Sequence, residues 1–172
     1  MGVVVVLFGL DLRYLMAGCL AVSLVTDIVA LRGHPVFTLV PLLAGLFYRF
    51  LHGTLNDAAI ALAIPFAFNL IRFITRRLAL YDILDLGMVG VIMGWPFGLV
   101  NTITAKALHA MIKETWVVKL LGRKRGEGVY AFPYAVVIAV GAILSYCLFR
   151  EFPGVDKALR ALFLQIRSLA GI

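Results

Sequence analysis

Residues Arg76 to Gly94, RRLALYDILDLGMVGVIMG, place two carboxylates, Asp82 and Asp85, between a basic turn and an uncharged apolar run. An ionisable side chain at lipid depth costs about 2.5 to 3.5 kcal/mol on insertion scales, so it is a candidate functional group. A third acid, Asp27, ends the apolar run Tyr14 to Thr26. If both runs are helices, Asp27 ends one and Asp82 begins another, so two carboxylates can meet at one depth.

The composition is that of a membrane protein. Of the 172 residues, 63% are hydrophobic and 15% are charged. The hydrophobic fraction exceeds that of a typical soluble domain, and the mean hydropathy is +1.02. A helix needs about 17 to 25 apolar residues to cross the hydrocarbon. So many apolar runs in so short a chain predict one all-α, polytopic helical bundle without a separate soluble domain.

Six apolar runs are predicted to be transmembrane helices, and the tail that follows them is predicted to be an interfacial amphipathic helix. The transmembrane domain then covers residues 1–152 and the tail covers residues 153–172. The predicted spans are one ending at Asp27, Phe37 to Leu51, Ala58 to Ile74, Ile83 to Val100, Thr102 to Val118 and Tyr130 to Phe149.

Local signals refine the third and fourth spans. Asn56 or Asp57 is predicted to cap the third span, and Pro65 to kink it. The fourth span contains glycines spaced four residues apart, including Gly90 and Gly94, which let neighbouring backbones approach closely. The fourth span is therefore predicted to be central to the bundle.

The positive charge predicts the orientation of the bundle. A formal charge of +7 can indicate nucleic acid, but the basic residues lie between apolar runs, where positive loops face the cytoplasm. Nine of the sixteen basic residues fall in the loops at Arg32, at Arg72 to Arg77 and at Lys113 to Arg125. With that side in the cytoplasm, Asp27 and Asp82 both lie at cytoplasmic helix ends of a multi-pass inner-membrane protein.

Two adjacent carboxylates can hydrolyse an amide. Ionising both carboxylates at once is unfavourable, so one is ionised and acts as a base while the other keeps its proton. The base takes a proton from the attacking water, and the acid donates to the oxyanion and then to the leaving nitrogen, as in aspartic proteases. Asp27 and Asp82 are the predicted pair, and Asp85 rivals Asp82 because residues three apart lie on nearly one helix face. The alternative is that these acids are interfacial residues or helix caps.

Histidine and cysteine spacing gives no metal site. The three histidines, His34, His52 and His109, lie in different parts of the chain, and Cys19 and Cys147 lie in separate apolar runs. Neither set has the close spacing of zinc ligands. No metal, cofactor or nucleic-acid partner is predicted.

Three segments resemble one known family. In that family an aspartate ends the first span before a basic stretch and an Ile-Pro-Asn, a Gly-x-Gly-Asp-x-Lys motif opens the fourth span, and a basic loop precedes Pro-Tyr and a small-residue span. The matching segments here are Asp27 with His34-Pro35-Val36, Asp82 with Gly90 and Gly94, and Gly122 to Arg125 with Phe132 to Ala142. Over Leu15 to Phe149 the chain resembles the type IV prepilin and preflagellin leader peptidases, particularly the short members serving tight-adherence (Flp) pili.

The resemblance implies an aspartic endopeptidase that cleaves the leader of a prepilin or pseudopilin at the cytoplasmic membrane face. Asp27 and Asp82 would be catalytic, Tyr81 and Asp85 are candidate substrate contacts, and the partners would be the prepilin and membrane lipid. Ala79 and Tyr81 replace the motif glycines, and Leu84 replaces the lysine.

Two other functions remain open at this point. The missing glycines motivate an inactive relative that keeps the fold as a membrane factor in pilus assembly. The two membrane aspartates also fit a small ion or proton transporter, because intramembrane acids commonly mark such pathways.

Overall fold

The described part of the chain is α-helical apart from two hairpins of two-residue strands. The computed structural model describes residues 6–7, 10–30, 35–75, 80–112, 123–124, 130–131 and 133–169. The strands pair β1 (Val6–Leu7) with β2 (Leu10–Asp11) and β3 (Arg123–Lys124) with β4 (Tyr130–Ala131). The helices are α1 (Leu12–Ala30), α2 (Pro35–Leu51), α3 (Leu55–Ile74), α4 (Leu80–Met93), α5 (Trp95–Ile112), α6 (Tyr134–Glu151) and α7 (Gly154–Leu169). The predicted all-α class is confirmed.

Helix α4 lies at the centre of the bundle. It contacts α1, α2, α3, α5 and α6, and every residue from Asp85 to Ile92 is buried. Its glycines allow this packing: Gly90 lies against Ala61 of α3 and against Gly98 of α5. The prediction of a central fourth helix is confirmed.

The boundary between α4 and α5 differs from the prediction. A single span from Ile83 to Val100 is wrong, because the helix ends at Met93 and a new one begins at Trp95. Gly94 has a φ of 107°, a backbone conformation that glycine adopts without strain, and Pro96 lacks the N–H that a continuous helix needs there.

Because α5 begins at Trp95, Lys106 lies in the second half of this helix. Its Nζ donates to the Phe68 carbonyl oxygen of α3 at 2.6 Å. The sequence predicts a fifth span from Thr102 to Val118. Its residues 113–118 lie outside the described residues.

Other helix ends also differ. Helix α3 begins at Leu55, so Asn56 and Asp57 lie inside its first turn and the predicted cap at either residue is wrong. The residue before the helix is Thr54, whose side chain makes no cap hydrogen bond. The helix continues through Pro65. Helix α6 begins at Tyr134 and not at Tyr130, which belongs to β4, and α1 extends three residues past Asp27.

Much of the helical surface is apolar. Two described segments, Leu12–Val29 and Tyr134–Glu151, are long and apolar enough to cross a membrane, and Val36–Leu51 and Leu55–Ile71 are shorter apolar helices. Large apolar side chains are exposed along these helices, among them Val25, Leu43, Phe50, Ile71 and Ile143. Surfaces of this kind mark contact with a membrane or another protein.

Gly98 offers a test of the close approach between α4 and α5. A Cβ at Gly98 would lie 2.6 Å from the Gly90 Cα, so Gly98→Ala is expected to destabilise the bundle by about 1 to 3 kcal/mol. Gly18→Ala is the matched control, because no atom of the described residues lies within 4 Å of its Cβ position, and helix propensity favours alanine by up to about 1 kcal/mol. Thermal unfolding in detergent measures both, and an unchanged melting temperature for Gly98→Ala would contradict this packing.

Candidate active site

Two aspartates from different helices are buried at one end of the bundle. Asp27 of α1 is 8% exposed and Asp85 of α4 is 4% exposed. Their carboxylates interact electrostatically. This end, where α1 finishes and α2, α4 and α6 begin, therefore holds a buried acid pair, Asp27 and Asp85.

Hydrogen-bond donors from two further helices hold the acid pair. The Thr38 hydroxyl of α2 donates to Asp85 Oδ1 at 2.6 Å. The Ala135 amide of α6 donates to Asp27 Oδ2 at 3.0 Å, and the Tyr134 amide also donates to the Asp27 carboxylate. Because free N–H groups and the helix dipole make a helix N-terminus attract anions, the start of α6 stabilises a charged Asp27. Four helices thus fix the two carboxylates.

The structure places the predicted residues at different positions around this pair. Asp27 is in it, whereas Asp82 lies three residues before Asp85 on α4 and is half-buried. Tyr81, the candidate substrate contact, is 36% exposed in the first turn of the same helix. Three residues correspond to about 60° of rotation and about 4.5 Å along a helix, which is enough to bury Asp85 beside Asp27 while Asp82 is less deeply buried. The structural partner of Asp27 is therefore Asp85, and the catalytic role of either α4 aspartate stays a prediction.

The segment that carries most of the family resemblance lies at the acid pair. Pro133 precedes α6, and Tyr134 and Ala135 supply the amides that bind Asp27. Comparison with protein-family models, with curated proteins and with solved structures finds no match to this chain. The prepilin peptidase relationship accordingly stays a prediction that rests on the residues themselves.

The sequence did not single out Ser23 or Thr38. Ser23 is 2% exposed and lies one helical turn before Asp27, so the four-residue spacing could have found it. Thr38 is 1% exposed, but its contact with Asp85 joins residues 47 positions apart. No local pattern predicts such a contact.

Histidines take part in aromatic packing in the described regions. The His52 ring stacks on Tyr48 with centroids 3.9 Å apart, and His109 meets the Tyr134 ring edge-on at 5.2 Å. His34 lies outside the described residues. Within the ranges that the structure describes, no three His, Cys, Asp or Glu side chains are grouped to hold a metal ion.

The opposite end of the bundle holds a cluster of charged residues. Arg49 is only 6% exposed, and its Nε donates to the Val91 carbonyl oxygen at 2.9 Å, near the end of α4. Arg160 of α7 pairs with Asp57 at 3.3 Å and with Asp156 at 3.2 Å. A cation near a helix C-terminus is favourable, so Arg49 stabilises the end of α4.

Helix α7 is held on the bundle by this cluster and by aromatic contact. Arg160 lies 5.8 Å from the Trp95 ring, and the Phe163 ring lies 5.0 Å from it. Leu162, Ile166 and Leu169 remain exposed. The predicted C-terminal helix is confirmed, with one side against the bundle and an apolar stripe left uncovered.

Loss of these contacts should release α7. The double variant Arg160→Gln/Phe163→Ala is expected to raise the rate of proteolysis within 154–169 by about tenfold, because local opening follows the free energy of docking. Lys157→Gln is the control, since Lys157 is exposed on the same helix. Limited trypsin digestion in detergent, followed by mass spectrometry, measures the rate of cleavage after Arg167, the tryptic site in this helix that all the compared proteins keep. Equal rates for the double variant and the control would contradict the docking.

Proposed function

We propose that this chain is a multi-pass membrane aspartic endopeptidase that removes the leader of a prepilin-like protein at the cytoplasmic face. The observation that carries the proposal is the buried acid pair, Asp27 and Asp85, assembled from α1 and α4. Buried charges of one sign are unfavourable together, so a fold that buries two carboxylates within electrostatic range of each other is a candidate for acid–base chemistry.

Exposed apolar surface supports a membrane location with six spans, α1 to α6. Exposed aliphatic and aromatic side chains cover α1, α2, α3 and α6, which is the pattern expected where lipid replaces water. Helix α4, with 14 residues, is about 21 Å long and so shorter than the hydrocarbon. Because other helices surround it, its length need not match that of the lipid.

The orientation follows from the basic residues. Arg32, Arg76 and Arg77 follow α1 and α3 in the chain, and both helices finish at the end that holds the acid pair. Positive loops favour the cytoplasm, so the acid pair faces that side. The exposed apolar stripe of α7 then lies at the opposite membrane surface.

The chemistry uses one shared proton. The ionised member of the pair accepts a proton from water, whose oxygen attacks the amide carbon. The protonated member donates to the carbonyl oxygen, which gives a tetrahedral intermediate. The nitrogen then takes the proton that the first carboxylate accepted from water, the C–N bond breaks, and a hydroxyl of the intermediate returns its proton to the second carboxylate. The products are a carboxylic acid and an amine, and water is the only other reactant.

The substrate is a membrane helix with a positive leader. Its cleavage site must unwind, because an intact helix keeps its carbonyl groups in its own hydrogen bonds. Tyr81 and Asp82 lie in the first turn of α4, and Tyr81 is exposed. They are the proposed contacts for the unwound segment.

An inactive assembly factor is the second candidate. Two observations favour it: Ala79 and Tyr81 stand where the family has glycine, and Asp27 already binds the amide of Ala135 as a cap would. A carboxylate that only caps α6 needs no reaction to explain its position.

Reconstitution in liposomes separates these functions. The purified protein is mixed with a prepilin that has a basic leader and a glycine before its apolar segment, and intact masses are followed. The proposal expects the leader mass to be lost in the presence of this protein. An uncleaved prepilin contradicts it, and proton or sodium flux through the same liposomes would instead support a transporter.

A further inference from the structure

The Ser23 side chain is buried on the face of α1 that also carries Asp27. Ser23 is 2% exposed, and no atom of the described residues lies within hydrogen-bond distance and geometry of its Oγ. Thr26, one position before Asp27, differs: its hydroxyl donates to the Val22 and Ser23 carbonyl oxygens, each at 3.0 Å. Buried hydroxyls nearly always have a partner, so the Ser23 hydroxyl requires one.

The position of Ser23 along α1 places it opposite Asp85. The Asp85 carboxylate interacts electrostatically with both Cys19 and Asp27. Those two residues are about 12 Å apart along the helix axis, and Ser23 lies midway between them with four-residue spacing on each side. Ser23 therefore lies on the same buried face of α1 as Asp27, one turn earlier, and near the level of Asp85 along the helix axis.

A water molecule would supply the partner that this hydroxyl requires. A buried water needs two to four polar neighbours, and the Ser23 hydroxyl, Asp27 and Asp85 supply three. Thr38 already donates to Asp85 Oδ1 and the Ala135 amide to Asp27 Oδ2. Each carboxylate has about four lone-pair sites, so both Asp27 and Asp85 can still accept a hydrogen bond from water.

We propose that the Ser23 hydroxyl positions the water molecule that Asp27 and Asp85 activate. This inference rests on the proposed peptidase function. The water donates one hydrogen bond to the ionised carboxylate and the other to Ser23 Oγ. These two hydrogen bonds direct a lone pair of the water oxygen toward the substrate carbonyl carbon. Ser23 neither gains nor loses a proton during the reaction, so it is a positioning residue.

The kinetic test replaces Ser23 in three ways. Ser23→Ala is expected to lower kcat by about 10- to 100-fold, the effect of a misplaced reactant, with KM changed less than about twofold. Ser23→Thr restores the hydroxyl and is expected to recover most of kcat. Ser23→Cys keeps the volume with a weaker donor and is expected to behave like Ser23→Ala.

Stability distinguishes positioning from a structural role. Removing a hydroxyl that has no hydrogen-bond partner among the described residues is expected to leave the melting temperature of Ser23→Ala near that of the wild type. Thr26→Ala is the matched control, because it removes a neighbouring hydroxyl that is bonded to backbone carbonyls, and it is expected to leave kcat unchanged. Unchanged kcat for Ser23→Ala overturns the inference. Loss of both kcat and melting temperature, without rescue by Ser23→Thr, also overturns it.

The outcomes for the two proposals can be told apart. If the wild type cleaves prepilin and Asp27→Asn does not, full activity of Ser23→Ala removes the role of Ser23 alone. If the wild type leaves prepilin intact, the peptidase function and the role of Ser23 fall together.

Discussion

Cells that carry Asp27→Asn in place of the wild type are expected to accumulate prepilin with its leader attached. The substitution removes the group that takes or holds the shared proton, so the cleavage rate should fall by about 10³-fold or more, within the range of general acid–base catalysis. Gel mobility and the intact mass of the pilin report the uncut leader.

The Asp27→Asn variant is expected to keep the fold. Asparagine has nearly the shape of aspartate, and its Oδ1 can accept the Ala135 amide that now binds Asp27. A melting temperature close to that of the wild type, together with loss of cleavage, identifies a chemical role. Cleavage at the wild-type rate would show that Asp27 serves as the cap of α6.

The second acid is tested by comparing Asp85→Asn with Asp82→Asn. Asp85 is buried, interacts with Asp27 and accepts the Thr38 hydroxyl, so Asp85→Asn is expected to be as inactive as Asp27→Asn. Asp82 is half-buried in the first turn of α4. Its replacement should change the cleavage rate by no more than about tenfold, as for a substrate contact.

Asp82→Asn and Asp85→Asn are controls for each other, because both make the same chemical change on the same helix. Rates follow from time courses with purified variants and one prepilin. An inactive Asp82→Asn beside an active Asp85→Asn would reverse the assignment and return the second role to Asp82, as the family motif implies.

The general arrangement could be predicted from sequence, because apolar runs and their charged ends set it. Asp27 ends an apolar run, and the next acids begin another, which predicts that both lie at one end of the bundle. The structure buries Asp27 and Asp85 at that end, within electrostatic range of each other. The choice between Asp82 and Asp85 depends on how α4 is rotated, and rotation is set by packing against five neighbouring helices.

Helix ends were less predictable where backbone geometry decides them. The apolar run through Gly94, Trp95 and Pro96 reads as one span by hydropathy, yet glycine and proline divide it into two helices. The burial of Arg49 was not predictable from the local sequence either. Arg49 is buried because the Val91 carbonyl oxygen, 42 residues away in the chain, accepts its hydrogen bond.

The most direct measurement is prepilin cleavage in liposomes by the wild type, by Asp27→Asn and Asp85→Asn, and by the double variant. If the two carboxylates act as one unit, each single variant loses as much activity as the double variant. We expect leader removal by the wild type and none by the other three. Cleavage by the double variant, or intact prepilin with the wild type, would contradict an acid pair that hydrolyses the leader bond.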